Sequence, residues 1–395
     1  MPTEVLGFEK AEDNILVQEA DLETVTGEGR NVVEFVIRIN GVNLSDIGIS
    51  SLVRRILLKK FINGAYILYI EMTNVNNQLN NLNLIKEGYE VEVSIGWEGR
   101  DLINHGTFII ESPSYKYKAL DNQLICFEAY NKLRLLSRTG MKRRSFYARK
   151  DSEIASLIAK EYNLKTDIED TKVTYDQIIQ ANQNDYEFLL SRANLYGYTL
   201  FIDKDKLHFH KVRFQDTGKQ IVVNSSETSE SAPIHNFTMQ TKTFKQALKV
   251  KKEQINWENL DIYRGEDQDL QDPLLSAASG QGSVKKASSL VPVQAIHYLV
   301  GDGHIQTIDE IQRQAEHFSL ASRWLVFAQG SSVGLEFVDV GKVLTIKTDL
   351  LYSGPYLITE CEHDVSYNKI GAPVYMTKFL LLRTFGKDKY QDVDL

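Results

Sequence analysis

Two histidines one residue apart, His208-Phe209-His210, are the nearest the chain comes to a metal-binding pattern. Residues two apart on a strand share a face, so both imidazoles would be presented together, as a zinc ion requires. No third ligand is visible beside them, and the reading adopted is a solvated strand face with Phe209 turned inward. Cys361-Glu362-His363 has the same spacing and the same lack, and Gly301-Asp302-Gly303-His304 reads as a turn. There is no phosphate-cradling glycine loop ending in Lys-Ser or Lys-Thr, no His-Glu-x-x-His and no Gly-x-Ser-x-Gly. With 53 Asp and Glu residues no carboxylate pair stands out. Lys142-Arg143-Arg144, with Arg149 and Lys150, reads as solvated surface rather than a phosphate or partner site. The expectation is no catalytic, cofactor or metal site, hence no enzyme.

The bulk properties point the same way. At 395 residues the chain is too long for one core and suggests two to four domains. Its 43% hydrophobic and 25% charged residues allow stable cores without staples. Cys126 and Cys361 alone make no disulfide scaffold, and a single bridge between them depends on their separation in the fold. The acidic first residues lack the pattern of a secretory signal, and no apolar run approaches the ~18 residues of a membrane helix, so a soluble protein made without export is expected. Asn43 and Asn236 then match the glycosylation pattern by chance. A net charge of −8 argues against a nucleic-acid reader, although it would suit a surface that nucleic acid passes without sticking.

The elements that would position any site include a repeat. Gly88-Tyr-Glu-Val91-Glu-Val93-Ser-Ile95 followed by Gly106-Thr-Phe108-Ile-Ile110-Glu111 resembles Gly341-Lys-Val343-Leu-Thr-Ile346 followed by Gly354-Pro-Tyr356-Leu-Ile358-Thr-Glu360. In each, glycine opens an alternating run and a second glycine opens another with an aromatic two residues on, the look of paired short strands. A separation this long implies two copies of one domain rather than a solenoid. Further strands are expected over 31–39, 65–72, 124–129 and within 237–251. Arg54 to Lys60 reads as a strand with solvated lysines or a short basic helix.

Between the copies the pattern turns helical. Asp151 is read as the N-cap of a helix with Ile154, Leu157, Ile158 and Tyr162 inward, and Asn163 as its stop. Asn184 and Glu187 form a capping box for a second helix, with Tyr186, Leu189, Leu190 and Ala193 as its apolar face and Gly197 closing it. Strands 198–202 and 207–212 follow as a hairpin with a four-residue turn. The serine-rich segments 225–233 and 276–289 read as loops, and Thr307 with Glu310 starts a helix whose stripe is Ile308, Ile311, Ala315, Phe318 and Ala321.

The run Asn184-Asp185-Tyr186-Glu187-Phe188-Leu189-Leu190-Ser191-Arg192-Ala193 with Gly197-Tyr198 resembles the late-control gene D family, which includes baseplate hub proteins of contractile phage tails and the hub portion of type VI secretion valine–glycine-repeat spike proteins. Gly341, Gly354, Tyr356 and His363 are similar to that family's last barrel, and residues 151–163 to the helix before the acidic-aromatic one. On this resemblance Asp185, Tyr186, Phe188, Leu189, Gly197, Tyr198, Gly341, Gly354, Tyr356 and His363 are structural motif residues, His363 being no ligand.

The resemblance implies an α+β, mainly β chain with two similar tube-like β-barrel domains and an inserted α+β domain. The expected divisions are an arm over 1–30, the first barrel over 31–136, the insertion over 137–232, the second barrel over 233–260 and 325–385, a linker and helix over 261–324, and a tail over 386–395. Family hubs are trimers whose six similar domains form a ring around a channel, matching a hexameric tail tube to a trimeric spike. Implied partners are the tube protein, a spike made as a separate chain because this one ends at Leu395, and baseplate wedge or tape-measure proteins, with no membrane or specific nucleic-acid binding. The implied location is the virion baseplate, after synthesis in the host cytoplasm. The rivals are a distal tail protein of a non-contractile phage, which would form a hexameric ring, and a tail-associated cell-wall hydrolase.

Overall fold

In the computed structural model, described residues are 23–24, 32–75, 78–116, 123–211, 213, 215–223, 234–241, 248–256, 261–264, 268–269, 296–300, 324–348, 353–367 and 371–384. Of the expected arm only Glu23 and Thr24 are described, paired in parallel with Lys219 and Gln220; the serine-rich loops, His304, the helix from Thr307 and the tail lie outside the described residues. The fold is mainly β, with one large curled sheet of fourteen strands, mostly antiparallel.

The first part of that sheet is built from β1 (Val33–Ile39), β2 (Val53–Phe61), β3 (Ile67–Asn74), β4 (Glu90–Trp97), β5 (Ile103–Lys116) and β6 (Gln123–Tyr130). Alternation explains these strands. In β4, Val91, Val93 and Ile95 are fully buried while Glu90 is exposed. β2 alternates in the same way with Ile56 and Leu58 inward, so the short basic helix considered for Arg54 to Lys60 does not form.

The insertion follows: helix α1 (Leu133–Arg138), β7 (Lys142–Lys150), α2 (Asp151–Glu161), β8 (Lys165–Ile168), β9 (Thr174–Gln183), α3 (Asp185–Tyr196), β10 (Tyr198–Asp203) and β11 (Lys206–Lys211). Its core is separate, formed by residues such as Leu136, Ile154, Ile158, Phe188, Leu200 and Phe209. Three local expectations change. Lys150, extended at φ −85° and ψ 154°, takes the N-cap position, because the Asp151 carboxylate is drawn elsewhere; Glu153 reaches back to the Lys150 N–H at 3.1 Å. Leu157 is 41% exposed, and Ala155 and Ala159 complete the buried stripe instead. The hairpin turn has two residues, Lys204 and Asp205, both at positive φ (45° and 64°), the pattern that matches strand twist.

The second part of the large sheet comprises β12 (Gln215–Val223), β13 (Ile234–Thr241), β14 (Trp324–Val333), β15 (Lys342–Thr348), β16 (Gly354–Tyr367) and β17 (Pro373–Thr384). β12, grouped by sequence with the insertion, pairs in parallel with β15 in the large sheet. Among the described residues, the strands Leu248–Asn256, Asp261–Arg264, Gln268–Asp269 and Ile296–Val300 pair only with one another.

The repeat holds at the level of register. The first part runs β2-β3-β6-β5-β4-β1 and the second β13-β14-β17-β16-β15-β12. A rung across the first, Lys59, Ile67, Tyr130, Ile109, Glu90, matches Gln240, Phe327, Leu382, Leu357, Val343 across the second. Register breaks coincide, between Ile110 and Ser112 and between Ile358 and Glu360, and again between Val53 and Arg55 and between Ile234 and Asn236. Gly88 N–H donates to Ile110 O at 2.8 Å, and Gly341 N–H to Ile358 O at 2.9 Å. Gly88 and Gly341 take φ of 85° and 79°, which explains glycine at both positions. The copies differ at one flank, since β1 pairs with β4 antiparallel whereas β12 pairs with β15 in parallel.

The two parts share one apolar core and are joined by antiparallel pairing of β16 with β2, Glu360 to Ser366 opposite Phe61 to Arg55. Trp97 Nε1 also donates to Gly334 O at 3.1 Å, with the Trp97 and Tyr375 rings 5.5 Å apart. A Cβ at Gly334 would sit 2.0 Å from the Tyr375 ring, whereas one at Gly99 meets nothing within 4 Å. Gly334→Ala is therefore expected to destabilise by about 3 kcal/mol through overpacking, and Gly99→Ala by only about 1 kcal/mol through its positive φ, as read from urea unfolding midpoints.

Candidate functional site

Buried charged and polar groups gather at two joints between parts of the chain. At the β16–β2 joint Lys60 takes an inward position on β2 and is 1% exposed. Its Nζ donates to Asp339 Oδ1 at 3.0 Å and sits 5.3 Å from the Tyr66 ring centre. Burial alone would lower the Lys60 pKa, but Asp339 and the nearby Cys361 outweigh it and raise it; Asp339, whose burial would raise its pKa, is lowered by Lys60 and Lys342. The pair is thus ionised across the seam.

His363 lies beside it, fully buried on β16. Nε2–H donates to Val338 O at 3.0 Å, and Nδ1 accepts from Tyr375 OH at 2.7 Å, which fixes a neutral tautomer. Burial, with Lys60 nearby, holds its pKa down at about 4. The His105 ring centre is 4.9 Å from that of His363, and neither His105 nitrogen has a hydrogen-bond partner among the described residues. Cys361 is buried, its thiol pushed up by burial, so Cys361 and His363 share an inward face as their spacing suggested. Gly354, at φ 136°, faces the Arg383 guanidinium, and Tyr356 is 1% exposed.

The second joint is made by α3. Asn184 caps it, its Oδ1 accepting from Glu187 N–H at 2.8 Å while Glu187 returns a bond to Asn184 N–H at 3.2 Å. Gly197 ends it at φ 65°, and Tyr198 follows, 5% exposed. Phe188 and Leu189 enter the insertion core, and Tyr186 OH donates to Asn63 O at 2.6 Å. Asn63 Oδ1 in turn accepts from Leu200 N–H at 3.0 Å, and Asn131 Nδ2 donates to Ile202 O at 3.0 Å. The motif helix thereby fastens the insertion to the first part of the sheet.

Asp185, fully buried, accepts from Lys142 and Arg144, both at 2.5 Å, from Tyr162 OH at 2.6 Å and from Gln180 Nε2 at 3.0 Å. Burial pushes its pKa up, but these donors outweigh it and the carboxyl is lowered. Asp151, 1% exposed, takes Arg192 at 2.6 and 2.8 Å and Tyr196 OH at 2.8 Å. So Lys142 and Arg144, read from sequence as solvated surface, are instead counter-ions for a buried carboxylate; Arg143 remains exposed. His208 and His210 lie with Asp167, their ligand atoms within 4.8 Å of one another, so the third residue not visible in sequence is on the neighbouring strand. Phe209 is fully buried.

Two outcomes follow from these buried groups. Asp185→Asn removes the buried carboxylate that Lys142 and Arg144 share, leaving them the exposed Glu161 alone, and is expected to cost about 3 kcal/mol, measured by urea unfolding at pH 7.5. For His363, the unfolded chain takes up a proton below about pH 6.5, while the folded chain refuses it until about pH 4. Stability is therefore complete above that window and falls as pH drops through it, by on the order of 3 kcal/mol from this group. Unfolding midpoints at pH 7.5 and 4.5 measure the loss, and His363→Gln should flatten it.

The fold is shared with proteins of phage tails and of a secretion system. The prophage MuSo2 43 kDa tail protein of Shewanella oneidensis superposes with a TM-score of 0.63 at 13% identity, over 89% of this chain and 98% of that one. A tail protein of Neisseria meningitidis gives 0.60 at 11%, over 89% and 96%. The Escherichia coli c3393 protein, described as a type VI secretion component similar in structure to the phage T4 tail proteins gp27 and gp5, gives 0.52 at 9%, over 85% and 74%. No curated protein matches by sequence. The motifs resembled the late-control gene D family; the family model that matches, over residues 30–366, is described as the Alg8 N-terminal domain, and the chain belongs to that family.

Proposed function

We propose that this chain is the structural baseplate hub of a contractile tail or related injection particle. It assembles as a homotrimer whose six similar β units, two per chain, form a pseudo-sixfold ring around a channel. One face of that ring meets the hexameric tail tube and the other a trimeric spike, placing the protein in the tail baseplate. Wedge or tape-measure proteins are further neighbours. The tail and type VI secretion fold supports this reading, as does the likeness of residues 184–198 to the late-control gene D family. The role needs no catalysis: the buried ion pairs act as joints. The net charge of −8 suits a channel that does not retain DNA.

The observation that carries the proposal is an asymmetry in the duplicated sheet. Within the chain, β2 of the first unit pairs with the second half of β16 in the second unit. By register the counterparts are β13 and the second half of β5. β13 pairs with β14 alone, and the second half of β5, from Ser112 to Lys116, pairs with β6 alone, among the described residues. A neighbouring copy supplying β13 to this β5 would repeat the joint between chains, and three such joints close the ring. Tyr115, 48% exposed, stands where His363 is covered in the other unit.

Lys59 and Glu362 form an ion pair at 3.0 Å across the in-chain joint, and their counterparts are the exposed Gln240 and Ser114. In mass photometry of the full chain, alone and with its cognate spike, a trimer is expected. Ser114→Lys with Gln240→Lys should weaken it at least tenfold, and Ser114→Glu with Gln240→Lys should restore it. A hexamer favours the distal tail protein, and a trimer indifferent to both double variants overturns the proposed joint. A peptidoglycan-degradation assay is expected to show no activity, and turnover would favour the hydrolase.

A further inference from the structure

The insertion holds a cluster that the hub role leaves unused. β8 runs parallel to β11 with Asp167 opposite His208, and His210 lies two residues on along the same face. His208 Nδ1 is 3.2 Å from His210 Nε2 and 3.3 Å from Asp167 Oδ2. Zinc bonds of about 2.0–2.1 Å to imidazole nitrogen and 2.0–2.2 Å to carboxylate oxygen give tetrahedral edges of about 3.3–3.5 Å, so two edges of a coordination tetrahedron are already near size. We propose that Asp167, His208 and His210 bind one zinc ion, with water completing a tetrahedral site.

The surroundings fit this chemistry. His210 Nδ1–H donates to Lys211 O at 2.6 Å, which leaves the Nε2 lone pair facing His208, the arrangement that orients metal-binding imidazoles. Phe201, opposite His208 across the hairpin, stacks flat on it with ring centres 4.4 Å apart and planes 3° from parallel. Burial lowers the pKa of both imidazoles, so both are neutral, and Arg213 helps keep Asp167 ionised. Arg213 bonds both carboxylate oxygens, at 2.9 and 3.1 Å, and Lys206 lies 3.8 Å from Oδ2; with zinc on Oδ2, Arg213 keeps Oδ1. Two nitrogens and one oxygen suit a borderline divalent ion better than magnesium or calcium. Bound there, zinc ties the edge strand β8 to the hairpin.

The test uses the full chain without a histidine tag, stripped with chelator, and Zn2+ as the probe in titration calorimetry. One ion per chain is expected, with excess Mg2+ not competing, and Co2+ in its place should give the visible absorption of tetrahedral coordination. His208→Ala, His210→Ala and Asp167→Asn should each weaken binding at least tenfold and abolish the zinc-dependent rise in Tm, while His235→Ala leaves both unchanged. Asp167→Asn keeps the side-chain volume and guards against loss of fold. Unchanged affinity in Asp167→Asn and the two histidine variants, or no binding by the wild type, overturns the proposal.

Discussion

The fold turns on one stretch of backbone pairing, β16 against β2. Seven residues of the second unit, Glu360 to Ser366, lie opposite seven of the first, and this ladder makes two repeats into one sheet. Hydrogen bonding alone would tolerate a slip, but a shift of one residue would turn every side chain to the wrong face. The buried Lys60 enforces the register. Its ammonium meets Asp339 only when Lys60 lies opposite Cys361, and a buried charge without its partner costs several kcal/mol. Outside, Arg55 with Asp364 at 2.7 Å and Lys59 with Glu362 line the same ladder in solvent, where such pairs contribute little.

The insertion follows the same design with different chemistry. Asp185 and Asp151 each sit at the start of a helix, where the positive end of the backbone dipole favours a carboxylate, and each gathers cations and tyrosines from other elements. These clusters fix how α2 and α3 lie against β7 and β9. Tyr186, through Asn63, then carries that orientation to the large sheet.

Local features of this design were legible in the residues. Glycines at 88, 106, 341 and 354, with an aromatic two places after the second of each pair, marked the duplicated hairpins, and Asn184, Glu187 and Gly197 bounded α3, because turns and caps depend on near neighbours. Partners set by tertiary placement were not. Asp185 was marked only as a motif residue by the family resemblance, and Lys142 with Arg144 looked like a wetted basic run, since nothing in a linear pattern says that a carboxylate will be enclosed. Asp167 was missed for the same reason: it reaches His208 through a parallel pairing that the hairpin motif does not contain. Nor could pattern alone tell that β12 joins the large sheet, as its partner β15 lies beyond the whole 234–333 stretch.

The ladder between β16 and β2 also sets a timetable. A ribosome that has finished Phe61 must add about 300 further residues before Ser366 exists, which at 5–20 residues per second is roughly 15–60 s. Throughout that interval the first unit carries a bare, apolar-backed strand border of the kind that recruits stray polypeptide. The solvent-facing Arg54, Arg55 and Lys59 on that strand then acquire a second purpose, as like charges that keep nascent copies on neighbouring ribosomes from zipping together.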